Sequence, residues 1–409
     1  MKILQINCVY GKGSTGKITR DIHRGLLEAG HASVVICGRG AVPAEPGVHK
    51  LCTDWYARAN KLRSMADGLM YGGCFFSTNA IIAKIRREKP DVVHLQCING
   101  YFVNLFRLLK FLKNSGIPTV MTLHAEFMYT ANCGHAGQCS QWIEGCSRCP
   151  ALRKQTKSLF FDRTGYSWKL FHRQYRDWDR LTAVGCSEWI SGRARQAGAL
   201  RDRRIVTIRN GVDNTTVFYP RAGAGDALRS RYCIPADRKI VLYVAPAFTR
   251  EKGYDLVLQL AQKAENLPFH FLLVGQTAAS EMANVTVAGP VYSGEELALL
   301  YSGADALLMC SRFETYPTVC LEAVSCGTPV AGFDVGGVAE TIPEGMGGVV
   351  EPGAMEAMLA LLTRLTARRP DAQAIQQARA IHSRTHMVSQ YLALYQSLLQ
   401  GVPENESES

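Results

Sequence analysis

Two glutamates, Glu314 and Glu322, lie in the stretch Ser-Arg-Phe-Glu-Thr-Tyr-Pro-Thr-Val-Cys-Leu-Glu over residues 311–322. The apolar run Ala306-Leu307-Leu308-Met309 before it reads as a buried strand of a parallel sheet. Pro317 suits the first turn of a helix, where a missing N–H costs nothing, and Gly327 suits its end. A strand–loop–helix passage of this kind turns free N–H groups and a positive dipole end toward the mouth of the sheet. Two carboxylates beside such a helix start suit a ligand carrying both phosphates and hydroxyls. Taken alone they are equally an acid steadying a helix N-terminus and a solvated helix acid.

Four further features have reactive or binding chemistry. Arg250 and Lys252, with Gly253 after them, follow a strand ending at Ala245; two cations there would clamp a diphosphate, or form a solvated basic loop. Gly11-Lys12-Gly13-Ser14-Thr15-Gly16-Lys17 matches a phosphate-cradling P-loop up to its lysine. Ile18 then stands where that loop needs a hydroxyl for magnesium, so a glycine turn letting backbone approach a ligand is the better reading. His124 directly follows the strand 119–123, an address at the ligand edge of a sheet. Cys133, Cys139, Cys146 and Cys149 fall close together with His135 among them, and the last pair has the C-x-x-C spacing of tetrahedral metal ligands. They are a candidate structural zinc site; the alternative is a set of reduced thiols in a glycine-rich loop.

The elements that must position these residues alternate in strand–helix order, which predicts an α/β fold with parallel sheets. Strands are expected at residues 3–6, 33–37, 91–95, 119–123, 181–184 and 205–208, with a helix bearing Ile18, Ile22 and Leu26 on one face. A turn at Asn210-Gly211-Val212-Asp213 and little periodicity up to Ile234 place a boundary there. A second series follows at 240–244, 269–275, 306–309 and 329–333, with helical patterns after Met355 and Gln373. The expected organisation is a first domain over 1–212 with a Cys-rich insertion at 125–165, a second over 213–385, a last helix at 386–402 and an acidic tail at 403–409 that frays. Doubly wound domains bind ligands at the carboxyl ends of their strands, which would set the Gly11–Gly16 turn and the 314–322 segment on opposite walls of one cleft.

Composition narrows the class. The chain has 409 residues, 47% hydrophobic and 20% charged, as in ordinary globular proteins. A formal charge of +11 favours polyanions, whether nucleic acid, an anionic membrane face or phosphorylated ligands. Fourteen scattered cysteines in a chain this long do not make a secreted disulfide scaffold. The first residues read as a strand rather than a signal segment, and no run of eighteen apolar residues is present, so a cytoplasmic location is expected. Residues 105–113 alternate apolar and basic faces, Phe106 and Leu109 against Arg107 and Lys110; such a helix packs on its sheet or lies on a membrane surface.

Together these motifs resemble retaining glycosyltransferase family four, of the capsular and exopolysaccharide type. The resemblance rests on Glu314 and Glu322 with Gly327-Thr328-Pro329-Val330, on Gln5-Ile6-Asn7 with Gly13–Gly16, and on Leu123-His124-Ala125-Glu126-Phe127 followed by the cysteines. Asn210–Asp213 and Gly336-Gly337 through Thr341 extend it over nearly the whole chain. It implies a GT-B fold: two Rossmann-like domains, acceptor site in the first and nucleotide-sugar site in the second. It implies that Glu314 binds donor-sugar hydroxyls and Glu322 the ribose, while Arg250 and Lys252 hold the diphosphate as it leaves. His124 would stand near the reacting sugar, and Gly13, Ser14, Thr15 and Gly16 near phosphate and acceptor. Tyr316, Pro317, Thr318, Val319, Gly275 and Asn210 would complete the donor pocket.

The implied partners are a UDP- or GDP-sugar and a saccharide acceptor, lipid-linked by analogy, at the inner face of the cell membrane, with no nucleic acid. No catalytic cofactor is implied. The chain departs from the family pattern at three places: Ala247 occupies the usual arginine position, Thr315-Tyr316 replaces a common Gly-Phe, and Ala125 replaces a common Asp. Two rival classes remain at this point. A basic zinc-stabilised nucleic-acid binder would show salt-sensitive nucleic-acid affinity. A P-loop-like NTPase would lose magnesium-dependent hydrolysis on Lys17→Ala.

Overall fold

Strand β1 (Lys2–Asn7) buries five of its six residues, as expected of a strand covered on both faces. The computed structural model describes residues 1–131, 133–276 and 282–400. Around β1 the first unit assembles β2 (Ala32–Cys37), β3 (Val48–Lys50), β4 (Val92–Leu95), β5 (Thr119–Leu123), β6 (Leu181–Gly185) and β7 (Arg204–Thr207). The seven strands are parallel in the order β3-β2-β1-β4-β5-β6-β7, with β1 pairing β2 from Lys2↔Ala32 and β4 from Ile3↔Val92. Helices α1 (Gly13–Glu28), α2 (Asp54–Asp67), α3 (Phe75–Glu88), α4 (Leu105–Ser115), α5 (Thr164–Tyr175) and α6 (Glu188–Gln196) connect them.

Helical spacing explains the packing. Ile18, Ile22 and Leu26 of α1 are all buried, four residues apart. In α4, Leu105, Leu108, Leu109 and Leu112 are fully buried, so its apolar face is spent on the unit's own core. That overturns the membrane-surface option for this helix. Its Asn104 caps the Arg107 N–H at 3.0 Å, and Gly116 ends it in the left-handed conformation.

The second unit opens with α7 (Ala224–Tyr232), in a stretch where sequence periodicity suggested no element. Only Ala224 and Leu228 of this helix are buried, too few to show a period. There follow β8 (Lys239–Ala247), α8 (Tyr254–Lys263), β9 (Phe269–Gln276), β10 (Val285–Gly289), α9 (Gly294–Gly303), β11 (Ala306–Met309), α10 (Thr318–Ser325), β12 (Val330–Phe333), β13 (Gly347–Val350), α11 (Met355–Ala367) and α12 (Ala372–Ile381). Its six parallel strands run β10-β9-β8-β11-β12-β13, over a core that includes Val241, Phe271, Leu273, Leu308, Phe333 and Leu362.

The last helix, α13 (Arg384–Gln400), leaves the second unit at Met387; from Val388 to Gln400 it belongs to the first unit again. There Tyr391 and Tyr395 are buried, and their hydroxyls bond Thr122 Oγ1 at 2.9 Å and His94 Nδ1 at 2.7 Å. Among the described residues the division therefore falls as Met1–Ile208 with the rest of α13, and Arg209–Met387. The acidic tail at 403–409 lies outside the described residues.

Candidate active site

Both sheets reverse strand order at one point, where loops diverge and leave a crevice at the carboxyl ends. In the second unit that point lies between β8 and β11. The loop after β8 carries Arg250 and Lys252; the loop after β11 carries Arg312 and Glu314. Lys252 Nζ donates to Glu314 Oε1 at 2.7 Å. The Glu314 side chain is 13% exposed against 39% for Lys252, so the pair sits at the lip of the unit.

Three backbone contacts set this geometry. Arg312 N donates to Glu251 O at 2.9 Å, joining the two loops. Gly253 has φ +74°, and a Cβ there would lie 1.8 Å from the Cys310 carbonyl oxygen. Gly336 has φ +60°, and its Cβ would lie 1.7 Å from the Glu314 carbonyl oxygen, which also accepts the Gly337 N–H at 3.3 Å. Only glycine permits either approach.

Arg250 stands in the same loop as Lys252, after β8. Its side chain is 83% exposed and faces Asp255 at 4.0 Å, while its carbonyl accepts from Arg312. Arg312, which sequence reasoning left without a role, makes the bidentate pair with Asp255 at 2.7 and 2.8 Å. That guanidinium holds the Asp255 carboxyl below its ordinary value. The signal was available: Arg312 and Asp255 flank the same switch point.

Helix α10 begins as expected, with Pro317 at its N-cap, no side-chain capping bond and no acid in its first turn. The N–H groups of Thr318 and Val319 therefore remain for a ligand. Glu322 lies deeper than anticipated: it is 4% exposed and its Oε2 accepts from Tyr301 Oη at 2.9 Å. Tyr316 is buried, its hydroxyl 3.4 Å from His382 Nδ1, and burial pushes that imidazole down to about 4. Nearby in sequence or contact, Thr315 Oγ1 and Asn210 Oδ1 are buried polar atoms with no hydrogen-bond partner among the described residues. Gly275 lies against the start of the loop that carries Lys252, where a Cβ would come within 2.4 Å of the Phe248 ring. It ends β9, on the other side of β8, where a Cβ would lie 2.0 Å from the Ala245 carbonyl oxygen.

In the first unit the order reverses between β1 and β4. Gly13, Ser14, Thr15 and Gly16 form the first turn of α1 rather than a free loop. Lys12, at the N-cap, makes no side-chain capping bond, and the first turn holds no acid. Asn7 Nδ2 ties the entry together by donating to the carbonyls of Val9 and Thr15 at 2.7 and 3.2 Å. Ile18 is buried in the core, so no hydroxyl stands at the magnesium position of a P-loop.

His124 follows β5, and its Nε2 lies 2.8 Å from Gln96 Oε1. Gln96 Nε2 donates to Gln5 Oε1 at 3.1 Å and lies 3.3 Å from His94 Nδ1. His94 Nε2 lies 2.7 Å from Thr122 Oγ1. Loss of hydration pushes His124 down to about 4 and His94 to about 3, so both are neutral near pH 7. Gln96 carries no charge and belongs to no motif. It stands directly after β4 as His124 stands after β5, and that shared address was its only sequence signal.

Cys133, Cys139, Cys146 and Cys149 line one small cavity of ≈ 20 Å³ with Trp142. Cys149 is drawn down to about 7 by a hydrogen bond from Cys133, whose own thiol is pushed up by that bond and by burial. As the side chains stand, no group of three or more His, Cys, Asp or Glu among the described residues is set to hold a metal ion.

Two parallel α/β units, each with its polar residues at the strand-order switch, define a GT-B glycosyltransferase. Residues 15–216 match the model described as Glycosyltransferase Family 4, and residues 226–381 that of Glycosyl transferases group 1. The chain belongs to glycosyltransferase family 4, and it is a glycosyltransferase. The Escherichia coli (strain K12) protein named "Putative colanic acid biosynthesis glycosyl transferase WcaC" is 25% identical over 97% of this chain and all of its own length. Sucrose-phosphate synthase from Thermosynechococcus elongatus shares the fold at TM-score 0.67 and 18% identity, over 98% of this chain and all of that one. The Anabaena Alr3699/HepE structure with UDP and glucose does so at TM-score 0.64 and 15% identity, over 97% and 100%. The family assignment displaces the nucleic-acid binder and the NTPase.

Proposed function

We propose that the protein transfers a sugar from a UDP- or GDP-sugar to a lipid-linked saccharide, with retention, in surface polysaccharide assembly at the inner face of the cell membrane. The observation that carries this reading is the Lys252–Glu314 pair at the β8/β11 switch, beside the open start of α10. A bound donor would exchange that internal bond for two better-matched ones. Lys252 and the α10 N–H groups would meet the diphosphate, and Glu314 would accept from sugar hydroxyls. The bond from the anomeric carbon to the diphosphate breaks while one to the acceptor oxygen forms on the same face; the acceptor's proton passes to the leaving phosphate. Charge on the leaving group is met by Lys252 and the helix dipole rather than by a divalent metal. Glu322, steadied by Tyr301, is assigned to the ribose, and His124, kept neutral and oriented by Gln96, to the transferred sugar. The UDP complex of the Anabaena relative and the name of the E. coli relative support the donor class and the pathway class.

The test is a thermal-shift panel of UDP-, GDP- and other nucleotide-sugars. One donor present at about a hundred times its Kd should stabilise the protein by about 2.7 kcal/mol. Glu314→Ala should abolish that shift and sugar transfer. If no nucleotide-sugar stabilises the protein, or Glu314→Ala responds as the wild type does, the donor-site assignment fails.

A further inference from the structure

Eight of the twelve large apolar side chains left exposed among the described residues fall in two short stretches of the first unit, 55–76 and 159–166. Scattered exposed hydrophobes are ordinary, but such a concentration marks an interaction surface. Trp55, Phe76 and Phe160 are 76, 79 and 73% exposed.

The structure joins the two stretches around α2. Trp55, Arg58 and Leu62 share its outer face at helical spacing, and all three are exposed. On one flank the Tyr56 and Phe76 rings lie 6.1 Å apart and Arg63 stacks over Phe75 at 5.6 Å. On the other, Leu159 N donates to Met65 O at 2.8 Å, and Ser158 Oγ bonds Phe161 O at 2.7 Å. Phe75 and Phe76 are turned outward by Cys74, a non-glycine residue at φ +62°; its N–H bonds Asn60 Oδ1 and its thiol the Tyr101 carbonyl. A strained residue persists where its surroundings hold it, as these contacts do.

Charge selects the partner. The acids in these stretches are already engaged: Asp54 by Lys50, Asp67 by Arg63, and Asp162 by the N–H groups of Cys149 and Thr164. Arg58, Lys61 and Lys157 have no acidic partner among the described residues. Uncompensated cations interleaved with Trp and Phe are the composition that inserts into the headgroup region of an anionic bilayer. Position agrees with this. Gly40 N, beyond β2, bonds Asp54, and Tyr101, beyond β4, bonds Cys74; the 157–163 segment belongs to the loop leaving β5. All three lie on the carboxyl rim of the sheet, the rim that carries His124 and the start of α1.

We propose that this aromatic and basic face, centred on α2, docks the protein on an anionic lipid bilayer and so presents the first unit's rim to an acceptor held in that bilayer. The second clause rests on the lipid-linked acceptor proposed above; the docking itself does not.

Flotation with vesicles of phosphatidylcholine, with and without phosphatidylglycerol, tests it. The protein should float with the anionic vesicles, weakly or not with the neutral ones, and less as salt rises. The Phe76→Ser/Phe160→Ser/Phe161→Ser variant should lose at least about tenfold in vesicle affinity, and Arg58→Glu/Lys61→Glu/Lys157→Glu a similar factor. Both variants should keep the wild-type Tm and the donor-induced thermal shift, so that failure of docking and failure of the donor assignment are read separately. The proposal is overturned if the wild type ignores anionic vesicles or if the aromatic variant floats as well as the wild type. It is equally overturned if sedimentation shows that the substitutions only turn a dimer into a monomer, since the face would then be a contact between copies.

Discussion

Gly336 and Gly223 both hold left-handed backbone, at φ +60° and +72°, yet they differ in what a methyl group would meet. At Gly223, before α7, nothing lies within 4 Å of the added Cβ, so Gly223→Ala costs only the conformational preference, about 1 kcal/mol. At Gly336 the obstacle is the Glu314 carbonyl, which cannot swing away as a flexible side chain would. Gly336→Ala should therefore cost on the order of 3 kcal/mol and also displace Glu314 from Lys252. Chemical denaturation of the two variants should separate them by roughly 2 kcal/mol, with donor response lost only in Gly336→Ala. Equal losses would mean that backbone preference, not contact with Glu314, makes Gly336 necessary.

The cysteine-bearing insertion and the strands show how far sequence patterns carry. Strands at 3–6, 119–123 and 306–309 were readable because parallel strands covered on both faces are continuous apolar runs. Helix α7 and the short strands β3 and β13 were not, because few of their positions are buried. Glu314 and Lys252 were readable from chemistry and loop position. The Arg312–Asp255 pair was not readable, because spacing cannot show which of the nearby loop cations turns toward Asp255. Gln96 was missed because its importance lies in contacts separated widely along the chain.

The four cysteines stand between these cases. Sequence placed them together and the fold rings them around one cavity, but the thiols do not converge as they stand. We expect rotation of the thiols inward to admit one zinc ion, with Trp142 as the packed wall. Purified protein should carry about one equivalent, and chelation should lower its Tm. Less than about a tenth of an equivalent would make the cavity a packed cluster of reduced thiols.

At the scale of the whole molecule, both units bury histidines that must stay neutral, His23 and His94 in the first and His382 in the second among the described residues. His94 lies in the first unit and His382 in the second, both 0% exposed, with burial lowering them to about 3 and about 4. In the unfolded chain each would titrate near 6.5, so below that pH the unfolded state takes up protons that the folded state refuses. Their contribution is complete above about pH 6.5 and is lost as pH falls toward the folded values, by up to about 1.4 kcal/mol per pH unit for each. Carboxylates such as Asp255 and Asp213, held low by Arg312 and by the Thr216 N–H and hydroxyl, lose their share only below about pH 4. Melting between pH 7.5 and 5 thus isolates the histidines, and Tm should fall steadily over that range in both units. His94→Gln, which keeps a hydrogen-bonding side chain but cannot be protonated, should flatten the decline in part, the rest coming from the other imidazoles lowered by burial, His23 and His124 among them, and His382→Gln should do the same from the other unit. A wild-type Tm that stays level from pH 7 to 5, or a decline that both variants reproduce unchanged, would show that neither imidazole is held neutral by the fold.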